Sequence, residues 1–370
     1  MHGHVVWGTV TPAGLPTFGL DARAAAEVPA GRGRYVRELI AALAADGEQD
    51  RYRLYARTEH RSDLPADRFA WELSGLRDPL WHLATARRAS RATSAFLSTN
   101  SYLTAWATTV PTAVVVYDMV AFLADQHVQV RAGRIERATI RPALRRAAAL
   151  LCISEATRRD LVRLFPQAER TASVIPLAAD ARFAEPVEPA RLERPYVLAV
   201  GTLEPRKNLA RLVEAFVALP DDLRGGHQLA LVGPQGWDVE ETLRAAAARP
   251  GDVAVLGHVD EDRLHSLYAG AACFAYPSLY EGFGLPVLEA MTAGAPVVTS
   301  TASSLPEVAG DAALLADPRD VRSIRDALAA VLGDPSRADD LRAAGRERAA
   351  GFSWARTAGA TRDVLRRLAA

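Results

Sequence analysis

The chain has 370 residues with 44 basic and 44 acidic side chains, a length that fits two domains and a charge balance that argues against a nucleic-acid protein. Hydrophobic content of 49% and charged content of 24% are those of a globular chain. No apolar run approaches the ~20 residues of a membrane span.

The first residues, MHGHVVWGTVTPAGLP, have neither a basic start nor a long apolar core, so 1–16 reads as a short tail and not as a signal peptide. FGLDA (18–22) reads as a strand, followed by the loop Ala30-Gly31-Arg32-Gly33-Arg34 and a helix over about 34–44. RYRLYA (51–56), TAVVVYD (112–118) and ALLCIS (149–154) read as further strands. Segment 131–151 carries six arginines before Ala147. It reads as a solvated helical face, with docking on an anionic lipid surface as the alternative. The proline-containing segments around Pro176 and over 181–195 read as candidate linkers between domains 17–185 and 186–350.

Beyond Ala190 short apolar runs alternate with amphipathic segments: YVLAVG (196–201), QLALVG (228–233), VAVLGHV (253–259), CFAYP (273–277) and APVVTS (295–300). That alternation predicts an α/β chain built on doubly wound parallel sheets, in two Rossmann-like units with a ligand crevice between them. A dinucleotide fingerprint is absent, because Val36 stands where the third glycine after Gly31 and Gly33 would be, and there is no Walker A loop. Cys152 and Cys273 lie in apolar runs and read as buried reduced thiols of a cytosolic protein. The eight histidines form no cluster with metal-ligand spacing, and no metal is expected.

Two stretches carry chemistry. In GTLEPRKNLARL (201–212) Lys207 is the single lysine of the chain. A strand ends at Gly201, Asn208 suits a helix N-cap, and Leu209, Leu212, Val213 and Phe216 form an apolar stripe. Arg206 and Lys207 thus precede a helix N-terminus, where each cation is disfavoured by ~0.3–1 kcal/mol. A polyanion such as a diphosphate would account for both. An accidental lysine on a solvated loop is the plainer alternative.

In SLYEGFGLPVLEAMTAGAPVV (278–298), Gly282 and Gly284 make a turn and Pro286 suits the first turn of a helix. The N–H groups of Phe283, Gly284 and Leu285 would be free to bind phosphate. Glu281 and Glu289 suit vicinal hydroxyls, as on a sugar and a ribose; two solvated glutamates are the alternative.

The two motifs together, G-T-x-x-x-R-K-N and E-G-F-G-L-P-x-L-E-A-M-x-x-G-x-P-V-V, resemble those of the retaining glycosyltransferases of family 4, of the GT-B fold. GLDARAAAEVPAGRGRYVRELIAAL, VVVYDMVAF, LCISEATRRDL, LVGPQGW, VAVLGHVDEDRLHSLY and SSLPEVAGDAALLADP also match, and the likeness is greatest to the mannosyltransferase-like branch. FSWARTAGATRDVL resembles the family's closing segment, which implies that 351–370 crosses back to the first domain.

The resemblance implies a donor nucleotide sugar, GDP-mannose ahead of UDP-glucose, and a hydroxyl acceptor that is a saccharide, a lipid-linked sugar or a small molecule. Catalysis would need no metal, and the enzyme would act in the cytoplasm, with peripheral membrane contact as an option. It places the donor against Gly31 and Gly33, the Gly201–Thr202 turn, Arg206 and Lys207, and the 283–285 amides, with the base framed by Gly233, Pro234 and Val259. Glu289 would take the ribose, Glu281 the sugar and Asp118 the acceptor side. One departure stands out: Tyr117 precedes Asp118 where the family usually has histidine, and a phenol is no base near neutral pH. A GT-B sugar-nucleotide epimerase and an inactive nucleotide-sugar-binding homologue are the rival readings.

Overall fold

The structure, a computed structural model, describes residues 15–28, 31–123 and 130–370. The tail assigned to 1–16 therefore lies outside the described residues except for Leu15 and Pro16, and so does Ala30.

The apolar runs form two wholly parallel sheets. The first contains β1 (Thr17–Asp21), β2 (Arg51–Ala56), β3 (Phe69–Leu73), β4 (Ala95–Ser98), β5 (Thr112–Val116), β6 (Ala149–Cys152) and β7 (Ala172–Val174), in the order β3-β2-β1-β4-β5-β6-β7. The second contains β8 (Tyr196–Val200), β9 (Gln228–Val232), β10 (Val253–Gly257), β11 (Cys273–Tyr276), β12 (Val297–Ser300) and β13 (Leu314–Ala316), in the order β10-β9-β8-β11-β12-β13. Strands such as TAVVV and QLALV are buried at every position, as strands covered by helices on both faces must be.

Strand order reverses direction between β1 and β4 in one sheet and between β8 and β11 in the other. Open α/β sheets place ligands beyond the carboxyl ends of the strands at such reversals. Here both sets of ends face one another.

The last helix, Trp354–Ala369, begins with Ser353 capping the Arg356 amide and runs back onto the first layer. It packs on the Arg32–Ala45 helix, burying Ala358 and Leu365. Thr357 donates to the Pro176 carbonyl at 2.7 Å, and Arg362 pairs with Asp46 at 2.7 Å. A single cluster of buried apolar side chains includes Leu20, Leu198, Phe274 and Leu365.

Cys152 and Cys273 are buried free thiols, and burial pushes both up to about 12. In the Val130–Arg146 helix, Ile140, Ala143 and Leu144 face the core while Arg134, Arg141 and Arg145 are exposed, so the basic residues form an outer face. Among the described residues no helix is long and apolar enough to cross a membrane.

Candidate functional site

The second reversal point builds most of the site. Beyond β8 the chain turns at Gly201, whose φ of 145° favours glycine, and enters a single 3-10 turn, Pro205–Lys207. A β-carbon at 201 would lie 3.2 Å from Lys207 Cε, so the open face of Gly201 is what the lysine stem lies against. The helix Leu209–Val217 follows, its stripe buried as the spacing predicts.

Asn208 departs from its expected role. Its backbone is left-handed (φ 61°) and its side chain makes no cap hydrogen bond. Instead Nδ2 donates to the carbonyls of Pro277 at 3.0 Å and Pro318 at 2.7 Å, fastening the 3-10 turn to the ends of neighbouring strands.

The charges meet at Glu281. Lys207, 9% exposed, donates from Nζ to Glu281 Oε1 at 2.7 Å and to the Tyr276 hydroxyl, and Nζ stands 4.8 Å over the Tyr276 ring. Arg206 donates to Glu281 Oε2 at 2.6 Å, to the Tyr280 carbonyl at 2.8 Å and to Glu204 Oε1 at 2.5 Å. Burial alone would raise the Glu281 carboxyl, but Arg206 and Lys207 outweigh it and hold the group at about 2. Burial lowers the Lys207 ammonium, with Glu281 opposing. The two cations that seemed to call for a foreign anion therefore have protein carboxylates as partners. In this structure both oxygens of Glu281 are engaged by the two cations.

The turn after Glu281 is pinned from below. Ser303 Oγ accepts from the Glu281 amide at 2.8 Å, and Ser304 Oγ donates to the carbonyls of Glu281 at 3.0 Å and Phe283 at 2.7 Å. With the carbonyls held, the N–H groups of Phe283, Gly284 and Leu285 make no hydrogen bond to the protein among the described residues. They stand at the N-terminus of the Leu285–Thr292 helix, an arrangement suited to anions.

Glu289, one helical turn further on and 4% exposed, is bound across the domain boundary. It accepts from Arg34 of the Arg32–Ala45 helix and from the Tyr268 hydroxyl at 3.1 Å. Arg34 also reaches Glu261 at 3.1 Å. Burial raises the Glu289 carboxyl, Arg34 opposing. Like Glu281, it is engaged in an ion pair in this structure.

The first domain closes the cleft with Gly31, Arg32, Tyr117 and Asp118. Tyr117 donates to the Thr99 carbonyl at 2.7 Å and meets Tyr35 edge-on, and burial raises its phenol well above the ordinary value. Asp118 accepts from the Val120 amide at 3.0 Å. A β-carbon on Gly282 would lie 2.0 Å from the Tyr117 carbonyl oxygen, so only glycine permits this contact between the domains.

The cleft has a volume of about 370 Å³. Gly201, Thr202, Arg206, Lys207, Phe283, Gly284, Leu285 and both glutamates line it together with the first-domain residues. Gly33, Gly233, Pro234 and Val259 do not: Gly33 sits inside a helix, and the others lie beyond the ends of β9 and β10. Sequence reasoning missed Glu204, Tyr276 and Arg34, although Glu204 and Tyr276 were visible as polar residues at a strand end and beside the basic pair. Among the described residues no group of three or more His, Cys, Asp or Glu is placed to hold a metal ion.

The family Glycosyl transferases group 1 matches residues 180–348. The chain is 38% identical over 241 residues to O-antigen chain mannosyltransferase B of Escherichia coli, covering 62% of this chain and 63% of that one. It thus spans less than two thirds of that relative. Among solved structures, sucrose-phosphate synthase from Thermosynechococcus elongatus matches with a TM-score of 0.71 at 20% identity, covering 95% of this chain and 99% of that one. Anabaena HepE in complex with UDP-glucose matches with a TM-score of 0.73 at 17% identity, again over 95% of this chain and 99% of that one. At these identities the likeness carries the fold, which is GT-B.

Proposed function

We propose that this chain, which carries a group 1 glycosyl transferase domain, moves a hexose, mannose first, from a nucleotide-diphosphate sugar to a hydroxyl with retention at the anomeric carbon. The observation that supports this best is the meeting of Arg206, Lys207 and three uncommitted backbone N–H groups at one end of the cleft. Four cations (Arg32, Arg34, Arg206, Lys207) and four carboxylates (Asp118, Glu204, Glu281, Glu289) line that cleft. A diphosphate is the stronger partner for the basic pair, since it offers more charge and more acceptors than one carboxylate. Its arrival would release Glu281 to hydroxyls of the transferred sugar and, with Arg34 drawn away, Glu289 to the ribose.

In this reading the bond from the anomeric carbon to the diphosphate breaks as the acceptor oxygen attacks from the same face. The acceptor proton passes to a donor phosphate oxygen, so no enzyme nucleophile is required. Arg206 and Lys207 take up the charge that develops on the leaving group, in a buried setting where such stabilisation is large. Tyr117 offers shape and a fixed hydroxyl, while Asp118 is the acceptor-side carboxylate. The mannosyl preference rests on the O-antigen mannosyltransferase relative. A lipid-linked saccharide acceptor at the cytoplasmic membrane face would meet the exposed arginines of the Val130–Arg146 helix.

The test is to incubate the protein with GDP-mannose or UDP-glucose and a methyl mannoside, following nucleoside diphosphate release and product anomer by NMR. Lys207→Ala should lower transfer by ~10²-fold, the loss typical of one oxyanion partner. Turnover near that of the unaltered protein would reject the role of the basic pair.

A further inference from the structure

Tyr280 stands immediately before Glu281 in the second domain, yet its side chain turns away from the cleft and crosses to the first domain. Its hydroxyl donates to Asp160 Oδ2 at 2.9 Å, on the Glu155–Leu164 helix, and accepts from the Met119 amide at 3.3 Å. Arg163 takes the other oxygen of Asp160 at 3.0 Å, which leaves Oδ2 to the tyrosine. Burial, with Asp160 and Asp118 nearby, raises the phenol above its ordinary range. It therefore keeps its proton near neutral pH and remains a donor.

The neighbours of this residue carry the proposed chemistry. Met119 follows Asp118, whose carboxylate accepts from the Val120 amide at 3.0 Å. The Tyr280 carbonyl accepts from Arg206 at 2.8 Å, and the Leu279 amide donates to the Arg206 carbonyl at 2.9 Å. Arg206 in turn holds Glu281. One residue thus grips the backbone beside the first-domain carboxylate with its hydroxyl and the second-domain guanidinium with its carbonyl. The ring between these two points cannot stretch. While the hydrogen bonds hold, neither point can drift from the other.

Transfer with retention makes that spacing matter. The attacking and departing oxygens share one face of the sugar, so groups acting on them must be placed against each other to a fraction of an ångström. In the reading above those groups are Asp118 and Arg206, and they belong to different domains.

We propose that Tyr280 is a positioning residue for transfer, tying the Asp118 loop to Arg206 so that the acceptor-side carboxylate and the leaving-group cation keep one spacing. The proposal rests on the reading of the cleft as a donor site with Asp118 on its acceptor side. Tyr280 touches neither substrate, and no proton passes through it.

Tyr280→Phe tests this, because it keeps the ring and the backbone carbonyl and removes both hydroxyl contacts. With GDP-mannose or UDP-glucose and a methyl mannoside, kcat should fall about tenfold, less than the ~10²-fold of a full 1 Å misplacement. Donor KM, and GDP or UDP affinity measured by calorimetry, should stay within about twofold, since Arg206, Lys207 and the 283–285 amides are left in place. Asp160→Asn retains an oxygen that can accept from the hydroxyl and should keep most of kcat. A cycle with Asp118→Asn gives the sharpest result: if Tyr280 acts through Asp118, the double variant should be no slower than Asp118→Asn alone. Hydrogen exchange followed by mass spectrometry needs no turnover, and segment 117–123 should exchange faster in Tyr280→Phe while 196–217 is unaltered.

An unaltered kcat in Tyr280→Phe would overturn the proposal, whatever happens to Tm. So would losses that multiply in the double variant, nucleotide affinity that falls in parallel with kcat, or unaltered exchange over 117–123. Failure of GDP and UDP to bind the unaltered protein would instead strike the donor-site reading, and exchange over 117–123 would still decide whether Tyr280 holds the Asp118 loop.

Discussion

Position 207 shows why a chain with forty-three arginines keeps one lysine. The ammonium is enclosed by Gly201, the Tyr276 ring and Glu281, and only a slender stem with a compact head fits there. Lys207→Arg keeps the charge but adds volume to a packed site, and should cost about 1–3 kcal/mol of stability. It should also lose transfer activity; full activity together with unaltered stability would return the lysine to chance. Glu281 yields a second expectation at this scale. Its carboxyl is held at about 2 against an ordinary 4.5, so folding favours the ionised form. The stability it contributes is complete above about pH 4.5 and fades as the pH falls towards 2. Glu281→Gln should therefore lower the denaturant midpoint at pH 6, with the gap to the unaltered protein narrowing between pH 4.5 and 3. A gap that does not depend on pH would mean the ion pair adds nothing to folding.

Among elements, the turn from Glu281 to Leu285 does most to join chemistry to architecture. Gly282 carries its carbonyl to Ser154 at 2.6 Å and to Thr157 at 3.1 Å, both on the first domain. Gly282→Ala would set a β-carbon against a backbone oxygen that cannot swing aside, so the domains must part at this point. Transfer should fall by about 10²-fold, as misplacement near 1 Å can cause. Nucleoside diphosphate affinity should hold, because Arg206, Lys207 and the amides belong to one domain; parallel loss of both would place the fault in folding. How well elements could be read depended on how local their signals are. RYRLYA was legible because the apolar Tyr52 and Leu54 alternate with Arg51 and Arg53 at the strand period, and it spans β2 end to end. β3, FAWEL, was not, since it is an edge strand with Leu73 exposed, and AFLS of β4 is only four residues long. The basic pair and the glycine turn could be found because each is one short motif. Arg34 with Glu289 could not, as 255 residues separate partners that only the packing of two domains brings together.

At the scale of the whole molecule the two sheets are held facing one another by polar contacts that surround the cleft. Arg34 bridges Glu289 and Glu261, Arg182 also pairs with Glu261, and the Tyr280 hydroxyl donates to Asp160 at 2.9 Å. Glu307 adds the contact best suited to a test, because it is remote from the proposed chemistry. Its two carboxylate oxygens accept from the amides of Glu155 at 2.8 Å and Ala156 at 3.1 Å, capping a first-domain helix with a second-domain side chain. A carboxylate on a helix N-terminus is favourable through both hydrogen bonds and the helix dipole, by about 1 kcal/mol. Glu307→Ala should loosen closure by roughly that amount, a factor of about five in the closed population. Both domains would remain folded, and donor affinity would stay near that of the unaltered protein. Closure matters for excluding water from a reactive donor. The measurable consequence is thus a changed partition: hydrolysis of the sugar nucleotide should rise relative to transfer at fixed acceptor concentration. An unchanged ratio of hydrolysis to transfer, with the cap demonstrably lost, would show that these interdomain contacts hold the fold together without governing water access.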